Sequence, residues 1–394
     1  MSRSLPWAWL AEVGVGLLAA AGSLASEENI PKPAPGLSVD AHGCLRLRGE
    51  PFRGIGVNYY DAFVRLLRSA AGPDCESGFR ILSREGIPFV RFSAGGYWPA
   101  DWGLYQTNRA EYWRRFDAVV GAAEKSGLGL IPSLFWHYPT ICDRVGEPIL
   151  QWGEASSLTR EFMRTYVREV VMRYRGSEAI WAWEFGNEFN LGADLPNAEQ
   201  HRAPIHPGLG TPATRSRLDD LTHSAFRAAM DEFGHEVRRL DAHRLILSGN
   251  AFPRPSAWHQ MYRGTWQKDS ESEWRKMLVA DNPAAFQALS GRLYTASDLA
   301  LLPWAAAEAR AAARPLFVGE FGVNGPATSA AVARLSEWMD ALEKHDVPLA
   351  AFWVFDFEGQ HGEWSASFED GRSTLLRQVV ERQRIWSRTL PKCR

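Results

Sequence analysis

The chain has 394 residues and a net charge of −2, from 44 basic and 46 acidic side chains. That length suits one large domain or two ordinary ones, with enough apolar material for a core without metal or disulfide staples. The balanced charge argues against a nucleic-acid partner, and the 17 Trp suit either a large aromatic core or a cleft that stacks sugar rings.

The N-terminus reads as an export signal: Arg3, an apolar run over Val13–Ala21 interrupted upstream by Glu12, and a small-x-small site at Ser23-Leu24-Ala25. The expectation is cleavage near Ala25 (residues 1–25), with an uncleaved anchor as the alternative. A Pro-containing linker over 26–36 follows. No later segment is long and apolar enough for a membrane helix.

Strand and helix alternate from Leu37 onward. Leu37–Leu47 reads as a small hairpin with a Gly-containing turn. Apolar strands follow at Arg53–Asn58, Pro88–Ser93, Gly129–Phe135, Ala179–Gly186, Arg244–Ser248, Ala288–Tyr294, Pro315–Gly319 and Pro348–Trp353. Helical spacing lies between them, including a stretch ending near Gly86, one through Trp113 and Phe116, one containing Phe162 and Tyr166, a long helix over Asp219–Leu240, and an Ala-rich one including Trp304–Ala313. A final helix covers Leu375–Trp386. The connections at about 190–216 and 250–285 read as loops. Eight such strands predict an α/β fold, a single (β/α)8 barrel over 37–390. A doubly wound sheet is the competitor, but its Gly-rich phosphate loop is missing after the first strand.

Barrel enzymes carry their chemistry at the C-terminal ends of strands. Those ends hold Asn58-Tyr59-Tyr60, Arg91, Trp136-His137-Tyr138, Asn187-Glu188, Arg292-Leu293-Tyr294, Glu320 and Trp353. Either Glu alone is most simply a rim residue in an ion pair. Two carboxyls closing two strands are what glycoside hydrolysis needs, one protonated and one ionised. Glu184, four residues before Glu188 on the same face, reads as structural, and so does Arg91 if the two pair. Asp356, Glu358 and Trp364 are further candidates for substrate contact. His201, His206, His259 and His361 have no metal-ligand spacing and read as solvent-facing, with one of them free to line the cleft. Cys44, Cys75, Cys142 and Cys393 contain no Cys-x-x-Cys pair, against a zinc site. They leave open one or two disulfides or four buried thiols. No metal or organic cofactor is expected.

Trp183-Glu184-Phe185-Gly186-Asn187-Glu188 resembles the fourth-strand acid/base motif of clan A glycoside hydrolases. Val318-Gly319-Glu320-Phe321-Gly322 resembles the seventh-strand nucleophile motif. With Arg53-Gly54-Ile55-Gly56-Val57-Asn58-Tyr59 and Val90-Arg91-Phe92, the nearest pattern is glycoside hydrolase family 5, the cellulase and β-mannanase family, over about residues 37 to 390. The resemblance implies Glu188 as acid/base and Glu320 as nucleophile. It also implies Asn187 on the sugar 2-hydroxyl, Arg91 and Tyr294 on Glu320, His137 shaping the subsite at the cleavage point, and Trp353 as the floor of the sugar pocket. One position departs from it: the family's sixth strand usually carries His-x-Tyr, and here the residue is Arg292. An Arg beside Glu188 would favour its ionised form. Either Arg292 points elsewhere, or the pH optimum is low, or activity is impaired.

The resulting expectation is a secreted, retaining, endo-acting β-1,4-glycan hydrolase. It acts as a monomer on a polysaccharide or oligosaccharide, with no nucleic-acid or membrane partner after signal cleavage. The alternatives are an exo-acting β-glycosidase, a non-catalytic glycan-binding barrel with a degenerate site, and a structural barrel with no glycan role.

Overall fold

The computed structural model describes residues 35–68 and 75–389, so the expected leader and nearly all of the linker lie outside the described residues. Eight parallel strands form one sheet: β1 (Gly54–Asn58), β2 (Phe89–Ser93), β3 (Gly129–Phe135), β4 (Ala182–Gly186), β5 (Leu245–Leu247), β6 (Leu289–Leu293), β7 (Leu316–Phe321) and β8 (Leu349–Phe352). Their order is β5-β4-β3-β2-β1-β8-β7-β6. Sequential strands are therefore neighbours and β1 pairs β8, as in a (β/α)8 barrel. Every residue of these strands is buried, because the sheet is covered on both faces; this explains why they read as continuous apolar runs.

The β5/β6 seam has no ladder hydrogen bonds among the described residues, and side chains bridge it instead. Gln287 Oε1 accepts from the Ile246 N–H at 3.0 Å. Asn282 Oδ1 accepts from Ser248 Oγ at 2.6 Å and from the Ser290 N–H at 3.2 Å. These bonds satisfy backbone and hydroxyl groups that would otherwise be buried without partners.

Among the described residues, eight principal helices surround the barrel: α1 (Glu76–Glu85), α2 (Arg109–Ser126), α3 (Leu158–Tyr174), α4 (His223–Leu240), α5 (Glu271–Ala280), α6 (Ala296–Ala311), α7 (Ser329–Lys344) and α8 (Ser373–Trp386). Helix α6 takes in Trp304, as expected, and starts at Ala296, where Thr295 and Asp298 form a capping box. One connection differs from expectation. The connection after β5 contains Ala257–Arg263 and α5, not loop alone. Ser270 and Glu273 cap α5 reciprocally.

The N-terminal segment forms a three-stranded antiparallel sheet, Leu37–Val39, Leu45–Leu47 and Glu50–Pro51. It closes the N-terminal end of the barrel. Leu37 and Leu45 pack on Phe89, Trp181, Leu245 and Phe317, and the Leu37 N–H donates to Trp181 O at 2.8 Å. Cys44 is disulfide-bonded. Cys142 is a buried thiol, its ionisation pushed up by burial. No helix among the described residues is long and apolar enough to cross a membrane. With one end sealed, the polar chemistry is left to the opposite rim.

Candidate active site

At the C-terminal rim the apolar strands give way to a connected polar layer, with the Arg91 guanidinium at its centre. It is fully buried. Nε donates to Glu184 Oε1 at 2.8 Å, and Nη1 donates to Asn58 Oδ1 at 2.9 Å and Glu320 Oε1 at 2.8 Å. Nη2 donates to Asn187 Oδ1 at 2.8 Å. The guanidinium carbon also lies 4.3 Å from the Trp136 ring centroid, a favourable cation–π distance. Burial opposes the charge, but Glu184 and Glu320 outweigh it and hold the guanidinium above its ordinary value. Arg91 is thus both a structural ion pair with Glu184 and a neighbour of Glu320.

The end of β4 turns sharply at Glu188, whose φ is +54°. The turn is held from the β5 side. Glu188 N–H donates to Gly249 O at 3.0 Å, and Asn190 exchanges side-chain bonds with Ala251, donating to its carbonyl at 2.9 Å and accepting its N–H at 3.2 Å. Gly249 has φ +74°, and a Cβ there would stand 1.8 Å from Gly186 O, so only glycine permits this approach. Asn187 Oδ1 accepts from both Arg91 and Arg292. That fixes its amide with the NH2 group free to donate elsewhere.

Opposite Glu188, Glu320 sits in β7 at a break in strand register, between Val318 and Glu320 against β6. Such irregularities re-aim side chains. Tyr294 Oη donates to Glu320 Oε2 at 2.6 Å. Burial and both nearby glutamates push the phenol ionisation well up, so the phenol keeps its proton. Arg292 does not point elsewhere: its Nε lies 3.4 Å from Glu320 Oε1 and 3.8 Å from Glu188 Oε1. Those two oxygens are therefore at most about 7 Å apart, short of the widest, ~9 Å carboxyl pairs. Arg292 and Arg91 pull the Glu188 pKa down, but burial and then the charge of Glu320 dominate and push it up to about 7. Arg292 thus favours the ionised form of Glu188, as expected, but is outweighed by burial and Glu320. Glu320 is 4% exposed and its charge is matched by two guanidiniums, whereas the Glu188 side chain keeps 30% exposure to the cleft.

Aromatic rings line the remaining wall. Trp136 and Trp353 stack with centroids 6.0 Å apart, and Tyr60 packs against both. Trp353 Nε1 donates to Gln360 Oε1 at 2.9 Å. His137 lies parallel to Tyr97 at 4.4 Å. Burial pushes its pKa down to about 4, so it is a neutral imidazole. The seven residues to which the family resemblance gives roles, Arg91, His137, Asn187, Glu188, Tyr294, Glu320 and Trp353, are thus on this rim.

The family model for cellulase (glycosyl hydrolase family 5) matches residues 69–358, well over half of the chain. The chain belongs to glycosyl hydrolase family 5. It is 29% identical over 143 residues to probable mannan endo-1,4-beta-mannosidase C of Aspergillus terreus, a match covering 34% of this chain and 31% of that protein. The chain therefore spans about a third of the length of that curated relative. Among solved structures it resembles the endo-1,4-beta-mannanase of Rhizomucor miehei, with TM-score 0.64, 16% identity and 90% and 100% of the two chains covered. It also resembles the exo-beta-1,4-mannosidase of Opitutaceae bacterium strain TAV5, with TM-score 0.62, 17% identity and 89% and 62% covered.

Two rim residues, Arg254 and Trp98, escape sequence reading. Arg254, beyond the end of β5, anchors on Leu191 O at 2.7 Å and interacts electrostatically with Glu188. An Arg just past a strand end was the available signal, hidden in a stretch read as loop. Trp98 and His206, from the connections after β2 and β4, meet edge-on at 5.1 Å. Trp364 packs edge-on against Tyr294 at 5.0 Å. Asp356 is taken up by Tyr59 and Arg65, so it anchors the post-β8 segment. His259 is not solvent-facing: it is 8% exposed and its Nδ1 lies 2.8 Å from Asp269 Oδ1. With Glu273 these groups converge within 4.8 Å, but Asp269 accepts the Trp258 and His259 N–H groups and Glu273 caps α5, so their oxygens already serve helix starts.

Proposed function

We propose that this family 5 chain is a secreted, retaining, endo-acting β-1,4-mannan hydrolase, with Glu188 as acid/base and Glu320 as nucleophile. The carrying observation is the electrostatic asymmetry of two carboxyls facing each other. Glu320 is clamped by Arg91 and Tyr294, while Glu188 is pushed up to about 7. A carboxyl pushed toward its protonated form beside one bonded by a guanidinium and a phenol suits an acid facing a nucleophile. Glu320 attacks the anomeric carbon while Glu188 protonates the departing oxygen. Glu188 then takes a proton from water as the water displaces Glu320. The Asn187 amide, held by two arginines, donates to the sugar 2-hydroxyl, and Trp353 supports the ring face. Mannan as substrate rests on the curated relative, named for mannan endo-1,4-mannosidase activity. Secretion rests on the signal-like N-terminus and the Cys44 disulfide, which suits an oxidising compartment.

A specific contact favours exo action as the second reading. Trp98 against His206 joins the connections after β2 and β4 over His137, raising a wall beside the cleft.

The test is reducing-sugar release from β-mannan and a soluble β-glucan, from acidic to neutral pH, with mannohexaose products resolved. Release from mannan is expected to exceed release from glucan, with oligosaccharides of several lengths formed. Because the general acid must be protonated, kcat/KM is expected to fall as pH rises through about 7. Mannose as the sole early product supports the exo reading. No release from either polymer or from mannohexaose contradicts the hydrolase.

A further inference from the structure

We propose that Arg292 is a positioning residue shared by the two carboxyls: its Nε–H serves Glu320 in the free enzyme and Glu188 once Glu320 carries the sugar. This rests on the double-displacement reading above.

The Arg292 guanidinium is pinned at its far end. Nη1 donates to Gly291 O at 3.0 Å and Asn250 O at 3.4 Å. Nη2 donates to Asn187 Oδ1 at 2.8 Å and Gly249 O at 2.6 Å. Gly319 makes room for it, since a Cβ there would lie 2.4 Å from Nη1. Nε is left buried without a hydrogen-bond partner, 3.4 Å and 3.8 Å from the two Oε1 atoms. A buried donor without an acceptor is destabilising, so its retention between two carboxyls calls for an account.

Charge bookkeeping over the reaction supplies one. Before attack, Glu320 is the carboxylate and Glu188 holds a proton. Attack forms the C1–Oε bond and breaks the glycosidic C1–O bond, with the Glu188 proton going to the leaving oxygen. Glu320 is then a neutral ester and the negative charge has moved to Glu188. Water next bonds to C1, gives its proton to Glu188, and releases Glu320 as carboxylate. One negative charge is present throughout and only its site alternates. A cation fixed between the two sites matches both states, and a small swing of Nε–H suffices to follow the charge. Arg91 cannot do this, because all its nitrogens are already bonded to Glu184, Asn58, Glu320 and Asn187. The other groups acting on Glu188 are Glu320 from β7, Arg91 from β2, Tyr294 just after β6, Asp298 at the start of α6, and Arg254 after β5.

The experiment compares wild type with R292Q and R292H by two readouts. The first is a carbon-13 NMR titration of the Glu188 carboxyl in the free protein, which needs no substrate. Loss of the nearby cation is expected to raise its midpoint by about one pH unit or more. The second is kinetics, with kcat/KM followed on mannohexaose, whose leaving group needs the Glu188 proton, and kcat and KM on an aryl β-mannoside with a good leaving group. The basic limb of kcat/KM is expected to move up by the same amount. Deglycosylation needs Glu188 unprotonated, so its acid limb moves up too, and kcat and KM fall together at neutral pH as the glycosyl-enzyme accumulates. If R292Q does not fold, R292H, the residue usual at this family position, carries the test above the titration of its imidazole. An unmoved Glu188 midpoint, or unmoved limbs in an active enzyme, overturns the proposal. A wild type without activity would instead sink the double-displacement reading, and the NMR titration alone then decides whether Arg292 governs Glu188.

Discussion

Glu320→Ala is expected to lower kcat/KM on β-mannan by at least ~10⁴-fold, as removal of an enzymic nucleophile does, with far less effect on substrate binding. The variant keeps Arg91 paired with Glu184 and Asn58, so the rim is expected to persist around the vacated carboxyl. The chemical signature is sharper than the rate. With an activated aryl β-mannoside and azide, attack from the face Glu320 occupied gives the α-mannosyl azide. Glu188→Ala keeps the nucleophile, so azide there intercepts the glycosyl-enzyme and gives the β-azide. NMR of the two products assigns the roles, and exchanged stereochemistry would exchange the assignments.

Arg91→Leu is expected to destabilise the fold by about 3–5 kcal/mol, the range for removing one member of a buried ion pair. Glu184 is fully buried, and Arg91 binds both its oxygens at 2.8 and 3.0 Å, so the substitution strands a carboxylate away from water. Asn58, Asn187 and Glu320 lose a donor at the same time. Denaturant unfolding measures the loss. Combining Arg91→Leu with Glu184→Leu is expected to recover much of it, because replacing both partners of a buried pair by apolar groups is often close to neutral. A single-variant loss below about 1 kcal/mol, the scale of an exposed pair, would contradict the view of Arg91 as the centre of the rim.

The barrel was legible because its strands are buried on both faces and punctuated by polar residues at one end. Gly129–Phe135 is the span read from the sequence, and the other strands shift by a few residues at most, as at β4, where only an isolated bridge at Ile180 precedes Ala182. Pro303 ordinarily breaks a helix, yet it is tolerated within α6. The post-β5 connection reads as loop because its helices are short, and only α5 carries a capping box. Within the site, strand ends predicted which residues share the rim, since the barrel forces them together. Which partner each side chain takes was not legible. Arg91 serving Glu184 and Glu320 at once, Arg292 lying between the two carboxyls, and Trp98 meeting His206 are contacts across distant segments, and no local spacing encodes them. That Arg292 favours the ionised form of Glu188 is legible in the sequence; the burial and the opposing charge of Glu320 that outweigh it are not.

Double displacement at Glu320 is the centre of this account, and the anomeric configuration of the first-formed product tests it most directly. Proton NMR during hydrolysis of a β-1,4-manno-oligosaccharide is expected to show the β-anomer of the new reducing end first, with the α-anomer growing in by mutarotation. Appearance of the α-anomer first would mean single displacement by water and would contradict the role of Glu320 as nucleophile.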